Sequence, residues 1–181
     1  MDIQHDRAGY YLCWGCMVFL PCIYTSHTYY LVKHPIDLSP VTTAILFACG
    51  AICILANYDA DRQRQQFRAC DGKCLIWGKP PKVVKAKYIT GDGREQTSLL
   101  LASGWWGLSR HWHYIPEILA SVFWSQCLVT GSIMSWFYAV YLTLLLTDRA
   151  WRDDERCRGK YGKYWTEYCA MVPYKIIPGI I

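Results

Sequence analysis

The chain has 181 residues, a net charge of +5, and a composition that is 53% hydrophobic and 18% charged. That length suits one ordinary domain, and so modest a charge, with no continuous basic face, excludes nucleic acid as a partner. Its Lys and Arg stand between long apolar blocks, the pattern of an all-α polytopic membrane protein with positive-inside bias.

In chain order, MDIQHDR is polar, and the apolar block behind it lacks a small-residue cleavage site, so the start does not read as a signal peptide. Residues 8–32 contain no Asp, Glu, Lys or Arg and are long enough to cross a bilayer as one helix, kinked at Pro21. A short turn over residues 33–40 leads to a second crossing, 41–58, where Gly50 allows close packing. The loop 59–98 holds Arg62, Arg64, Arg68, Lys73, Lys79, Lys82, Lys85, Lys87 and Arg94 and is therefore expected in the cytosol. Within it, 82–90, Gly91-Asp92-Gly93 and 96–99 read as a β-hairpin.

Residues 118–146 are again free of Asp, Glu, Lys and Arg, and the tail 147–181 is rich in Arg and Lys. If loop and tail both face the cytosol, an even number of crossings separates them. A charge-free stretch of about 29 residues is too short for two spans of about 20. The expectation is a membrane hairpin over 105–146, turning at Thr130-Gly131-Ser132, with its first arm starting near Trp105–Tyr114. This makes about four transmembrane helices, with both termini cytosolic. It leaves Arg110, His111, His113 and Glu117 at or below the membrane surface, where ionisable groups are functional candidates by default.

In the tail, Arg149, Asp153, Cys157 and Tyr161 recur every four residues, and each such step on a helix turns about 40°. The resulting stripe can line a polar ligand, or be a solvated juxtamembrane face held by i,i+4 pairs. Arg64 and Arg68, also four apart, can fork onto phosphate oxygens or form an ordinary basic patch. No GxGxxG follows a strand, so a dinucleotide would have to be held by side chains: cations on phosphates, Trp106 and Tyr114 against rings. Six of the ten cysteines (Cys13, Cys16, Cys22, Cys49, Cys53 and Cys127) lie in apolar blocks, where free Cys packs as a small hydrophobe. Cys70 and Cys74 lack a second ligand pair, and His111-Trp-His113 has no Cys or carboxylate cluster beside it, so no metal site is assigned.

The segments GWWGLSRHWHY, RDDERCRGKYGKYW and VPYKIIPGII, in that order, resemble the carboxyl-terminal part of the membrane sterol reductases of the C14/Δ7 type. MDIQHDRAGYYLCWG and DGKCLIWGKPPKV extend the resemblance over essentially the whole chain, and it is strongest to the Δ7-reducing members. Family members run longer on the amino-terminal side, so this chain resembles the last four or so membrane segments of a larger enzyme of the endoplasmic reticulum membrane. The resemblance implies NADPH in a cytosolic-side pocket made by Arg64, Arg68, Leu101, Trp106, His113, Tyr114, Asp153, the run Cys157, Arg158, Gly159, Lys160 and Tyr161, and Tyr168. Arg64 stands where the family commonly has Lys, His113 where it has Asn, and Glu117 replaces Asp.

The implied reaction is reduction of a sterol ring C=C bond, of the 7-dehydrocholesterol-to-cholesterol type. An unactivated alkene must first be protonated before it accepts hydride, and Glu117, with Tyr114 as a relay, is the candidate acid. The partners implied are the sterol, the bilayer, and either upstream helices or another sterol-biosynthesis membrane protein. Three alternatives share part of the pattern: a Δ14-reductase or its lamin-receptor relative, an isoprenylcysteine carboxyl methyltransferase using S-adenosylmethionine, and a non-catalytic sterol-binding paralogue. S-adenosylmethionine has no phosphate and would leave Arg64 and Arg68 without a purpose.

Overall fold

The computed structural model describes residues 13–91 and 93–180. The opening motif, and with it the first residues of the expected 8–32 crossing, lies outside the described residues. The rest of that crossing forms two pieces: a wide π-helical segment, Gly15–Tyr24, and α1, Ser26–Lys33, separated at Thr25. Pro21 sits inside the first piece. A proline ring removes a donor and crowds the carbonyl four residues back, and a wide turn accommodates both. Thr25 N–H accordingly reaches Leu20 O at 3.3 Å, while the Thr25 hydroxyl donates to Pro21 O at 2.7 Å.

Helix α2, Pro40–Ala69, starts on a proline whose missing N–H costs nothing at a first helical position. Ser39 caps it, its Oγ accepting from Thr42 N at 3.1 Å. Among the described residues this is the one helix both long and apolar enough to cross a membrane. It does not end at Tyr58 as expected. The sequence DADRQRQQFRA contains no Gly or Pro, and Cys53, Ala60, Gln63 and Phe67 recur at helical spacing and are buried. The expected loop therefore begins only after Ala69. There Gly72 N bonds Phe67 O (3.0 Å) and Asp71 N bonds Arg68 O (3.2 Å), a Schellman closure with Asp71 at φ 49°.

The expected hairpin is present as β1, Val83–Ile89, and β2, Glu95–Leu101, antiparallel in register from Val83 opposite Leu101 to Ile89 opposite Glu95. Asp92 of its turn lies outside the described residues. Val84 and Ala86 point inward and Lys85 and Lys87 outward, the alternation of a sheet with one wet face.

The segment 105–132 is not one continuous helical arm. It consists of α3, Trp105–Leu108; an irregular turn over 109–113; α4, Tyr114–Trp124; and α5, Cys127–Thr130. A turn does fall at Gly131, with φ 61°. Helix α6, Ile133–Tyr161, then runs without a break from apolar residues into the charged tail. After Gly162 comes α7, Lys163–Met171. The fold is thus mostly helical with one small two-stranded sheet.

The chain divides into two compact units, residues 13–51 with 118–143, and residues 52–117 with 144–180. In the first, Tyr24 meets Trp124 and Tyr138 edge-on at 5.7 and 5.0 Å. The second holds two cores. Val84, Ala102, Trp165, Tyr168 and Val172 form one, and Phe67, Ile76, Leu101 and Trp106 the other. Every assigned site residue belongs to this second unit.

Candidate functional site

The end of α2 anchors the site. Gly104 has φ 64° and ψ −140°, a backbone conformation that L side chains rarely adopt, and a Cβ there would stand 2.3 Å from Gln63 Oε1 and push that amide aside. Across that close approach Trp105 N donates to Gln63 Oε1 at 3.0 Å and Trp105 Nε1 to Asp59 Oδ2 at 2.8 Å. Trp106, buried, donates its Nε1 to Ala60 O at 3.0 Å. These bonds lay the Trp106 ring along the helix between residues one turn apart.

Arg64 lies over that ring, its guanidinium 4.3 Å from the centroid, and pairs with Asp61 at 3.1 Å. His113 is 5.0 Å from Trp106 and 4.4 Å from Tyr114, ring to ring. His111 stacks on Tyr114 at 5.1 Å and brings Nε2 to 3.7 Å from Asp153 Oδ2. Asp153 also pairs with Arg156 and accepts from Cys157 Sγ at 3.8 Å. Six of the assigned residues, Arg64, Trp106, His113, Tyr114, Asp153 and Cys157, are therefore linked by consecutive contacts.

Others stand around this group. Tyr168 is buried and its hydroxyl donates to Leu101 O at 3.1 Å. Tyr161 meets Tyr88 of β1 edge-on at 5.5 Å, with Lys160 4.1 Å above the Tyr88 ring. Arg68, one turn beyond Arg64, is exposed, as are Arg158 and Gly159. Glu117 is half-buried, one turn along α4 from His113, and the charges that act on it are Arg149 and Asp61.

Sequence reasoning passed over Asp154. It is buried, and Trp165 Nε1 donates to its Oδ1 at 3.1 Å. Three cations converge on it: Arg110 at 3.7 Å, Lys175 at 3.5 Å and Arg158 at 3.2 Å. Arg110 in turn donates Nη1 to Val172 O (2.7 Å) and Pro173 O (3.1 Å), while Arg110 N and His111 N bond Tyr174 O and Lys175 O. The segment 172–176 is thereby pinned to the turn that carries His111 and His113. One signal for Asp154 was in the sequence: Leu142, Leu146, Ala150 and Asp154 recur every four residues and are all buried, so the carboxylate continues an apolar stripe.

Burial holds the His111 imidazole down to about 4, against the opposing pull of Asp153. Burial, helped by the charges of His111, Arg64 and Arg149, holds His113 down to about 3. The His111–Asp153 contact is thus a polar contact of a neutral ring at physiological pH. Burial and the neighbouring Asp153 push the Cys157 thiol up to about 12, which keeps it protonated and unreactive.

These depressed values make stability depend on pH. Once unfolded, both imidazoles protonate near their ordinary value of about 6.5, so unfolding takes up protons below that pH. Their contribution to stability is full above about pH 6.5 and drains away as pH falls towards the folded values. The denaturant midpoint in detergent micelles is expected to drop between pH 7.5 and 5, by up to about 1.4 kcal/mol per pH unit for each proton. A flat profile would show that the two rings take up protons in the folded chain as readily as in the unfolded one.

Taken together, the chain is mostly helical, has one helix of membrane length among its described residues, and gathers arginine, indole, imidazole, phenol and carboxylate in one cluster. The chain belongs to the Ergosterol biosynthesis ERG4/ERG24 family, whose sequence profile matches residues 1–181. It is 56% identical to the 7-dehydrocholesterol reductase of Arabidopsis thaliana over 180 residues, 99% of this chain and 42% of that protein. It is 39% identical to the 7-dehydrocholesterol reductase of Xenopus laevis over 182 residues, 99% of this chain and 38% of the relative. With the Delta(14)-sterol reductase of Methylotuvimicrobium alcaliphilum it shares 40% identity over 180 residues, 99% of this chain and 40% of the relative. The chain thus spans about two fifths of the length of the curated relatives it matches.

Proposed function

We propose that this chain carries the cofactor site of an NADPH-dependent sterol reductase that acts on the Δ7 ring double bond. The observation that carries the reading is the contact chain Arg64–Trp106–His113–Tyr114–His111–Asp153, within a chain of sterol reductase ancestry. The residues fit a dinucleotide. Arg64 and Arg68 supply cations for phosphates, Trp106 and Tyr114 supply ring faces, and His113 Nδ1 is a buried polar atom without a partner among the described residues. When bound, the cofactor supplies a hydride, and the protein's task is to align, desolvate and protonate. Glu117 is the proton donor in this reading and Tyr114 its relay. Leu101 and Tyr168 close the floor, and the run Cys157–Tyr161 wraps one end. The 56% identity to the 7-dehydrocholesterol reductase of Arabidopsis thaliana supports Δ7 as the bond reduced; the identities of 39% to a second 7-dehydrocholesterol reductase and 40% to a Delta(14)-sterol reductase do not separate the two bonds.

In the membrane we place residues 59–98 and the tail 147–181 on the cytosolic face of the endoplasmic reticulum. The test is a binding titration of the chain in lipid nanodiscs with NADPH and with S-adenosylmethionine, followed through its tryptophans. NADPH alone is expected to bind, and Arg68→Ala should weaken it; if Arg68 meets the 2′-phosphate, NADH binding will hardly change. Binding of S-adenosylmethionine and not NADPH would overturn the reading. Turnover of a Δ14 sterol in preference to 7-dehydrocholesterol would remove the Δ7 assignment.

A further inference from the structure

Among the described residues of the second unit, four buried side-chain polar atoms have no partner: Ser109 Oγ and Arg110 Nε in the turn that precedes α4, and Asn57 Oδ1 and His113 Nδ1, whose residues flank the elements that hold Trp106. A polar group taken out of water and left unpaired is costly, so native chains pair nearly all of them. Asn57 belongs to the inward stripe of α2, Cys53–Asn57–Ala60–Arg64–Phe67, at steps of three and four. Asn57 and Arg64 therefore flank Ala60, the residue whose carbonyl receives Trp106 Nε1 at 3.0 Å. Trp106 carries Arg64 at 4.3 Å and has His113 at 5.0 Å. Asn57 thus stands one turn of α2 from the carbonyl that holds the indole, and His113 packs against the indole ring itself.

Their chemistry is complementary to one kind of group. The Asn57 amide oxygen can only accept, so it needs a donor. A neutral imidazole can present Nδ1 as N–H, which needs an acceptor. We propose that Asn57 and His113 form a subsite for a primary carboxamide carried on an aromatic ring, Asn57 Oδ1 accepting from the amide NH2 and His113 Nδ1–H donating to its carbonyl. The flat faces of Trp106 and Tyr114 suit the ring that bears the amide. This deepens, and rests on, the nicotinamide reading of the site.

The experiment compares three ligands on the whole chain in nanodiscs: NADP+, its 3-acetylpyridine analogue, which keeps the carbonyl but replaces NH2 by methyl, and 2′,5′-ADP, which lacks the ring. Asn57→Ala is expected to weaken NADP+ by about 2- to 12-fold, the value of one neutral hydrogen bond, and to leave the analogue unchanged. His113→Ala should weaken both ring-bearing ligands alike, and 2′,5′-ADP should bind every variant as it binds the parent. Without ligand, Asn57→Ala should be at least as stable as the parent, because it removes an unpaired buried acceptor and introduces a good helix former; a structural amide would instead be missed.

Equal losses for NADP+ and the analogue in Asn57→Ala, or no loss, overturn the subsite while leaving the cofactor reading in place. A parent that binds none of the three ligands takes both down. A sterol hydroxyl also donates and accepts. Should the two variants weaken sterol binding and spare the dinucleotides, the carboxamide assignment is overturned in its favour.

Discussion

Replacing Asp154 by asparagine is expected to be among the most damaging single changes in the chain, at about 3–5 kcal/mol, the usual cost of removing one partner from a buried ion pair. Asparagine keeps an acceptor for Trp165 Nε1 but leaves Arg110, Lys175 and Arg158 with no carboxylate between them. Arg110 is the decisive one. Its side chain is only 6% exposed, so solvent cannot take over the lost charge. Arg158 reaches Asp154 from a side chain that is 69% exposed, and Arg158→Gln should therefore cost no more than about 1 kcal/mol. Urea unfolding of the two variants in the same detergent, followed through tryptophan emission, makes the comparison. If Asp154→Asn unfolds alongside Arg158→Gln, the carboxylate is not what holds segment 172–176 in place.

For binding, the largest expected effect belongs to Arg64. A charge-assisted hydrogen bond contributes about 1.5–3 kcal/mol, so Arg64→Ala should weaken NADPH by about 10- to 150-fold. Arg64→Lys keeps the charge but loses the planar face that rests on Trp106, and should fall between parent and alanine. Arg68→Ala should cost less than Arg64→Ala, because Arg68 is exposed and its contacts compete with water. An Arg64→Ala variant that binds NADPH like its parent would remove the Trp106 face from the site.

The features legible in the sequence were those set by short-range periodicity. Alternation around Gly91–Gly93 gave the hairpin, and the absence of charge over 41–58 gave the membrane-length part of α2. Spacing by fours put Asp153, Cys157 and Tyr161 on one helix, and the family resemblance gathered Trp106, His113 and Tyr114 with them. What stayed hidden depends on partners distant in the chain. The absence of Gly and Pro over 59–69 allows α2 to continue to Ala69, but the partners that its buried face meets there, Trp105 and Trp106, are more than forty positions away. Asp154 was hidden for the same reason. Next to Asp153 in sequence, it faces another way around the helix, and its partners Arg110, Trp165 and Lys175 come from three separate elements. The parity argument for 105–146 started its first arm near Trp105–Tyr114; those residues form a short helix and an irregular turn, and spend hydrogen bonds on α2 and on segment 172–176.

The close approach at Gly104 has a consequence for inheritance. Every missense change of a glycine codon adds at least a Cβ, and at this position even alanine must enter space already filled by the Gln63 amide, in a backbone region that other residues scarcely visit. Any substitution there strains the backbone and displaces the amide that holds Trp105. In a population carrying this gene, codon 104 should tolerate synonymous changes alone, and any other should behave as a loss of function although the residue itself bears no chemistry.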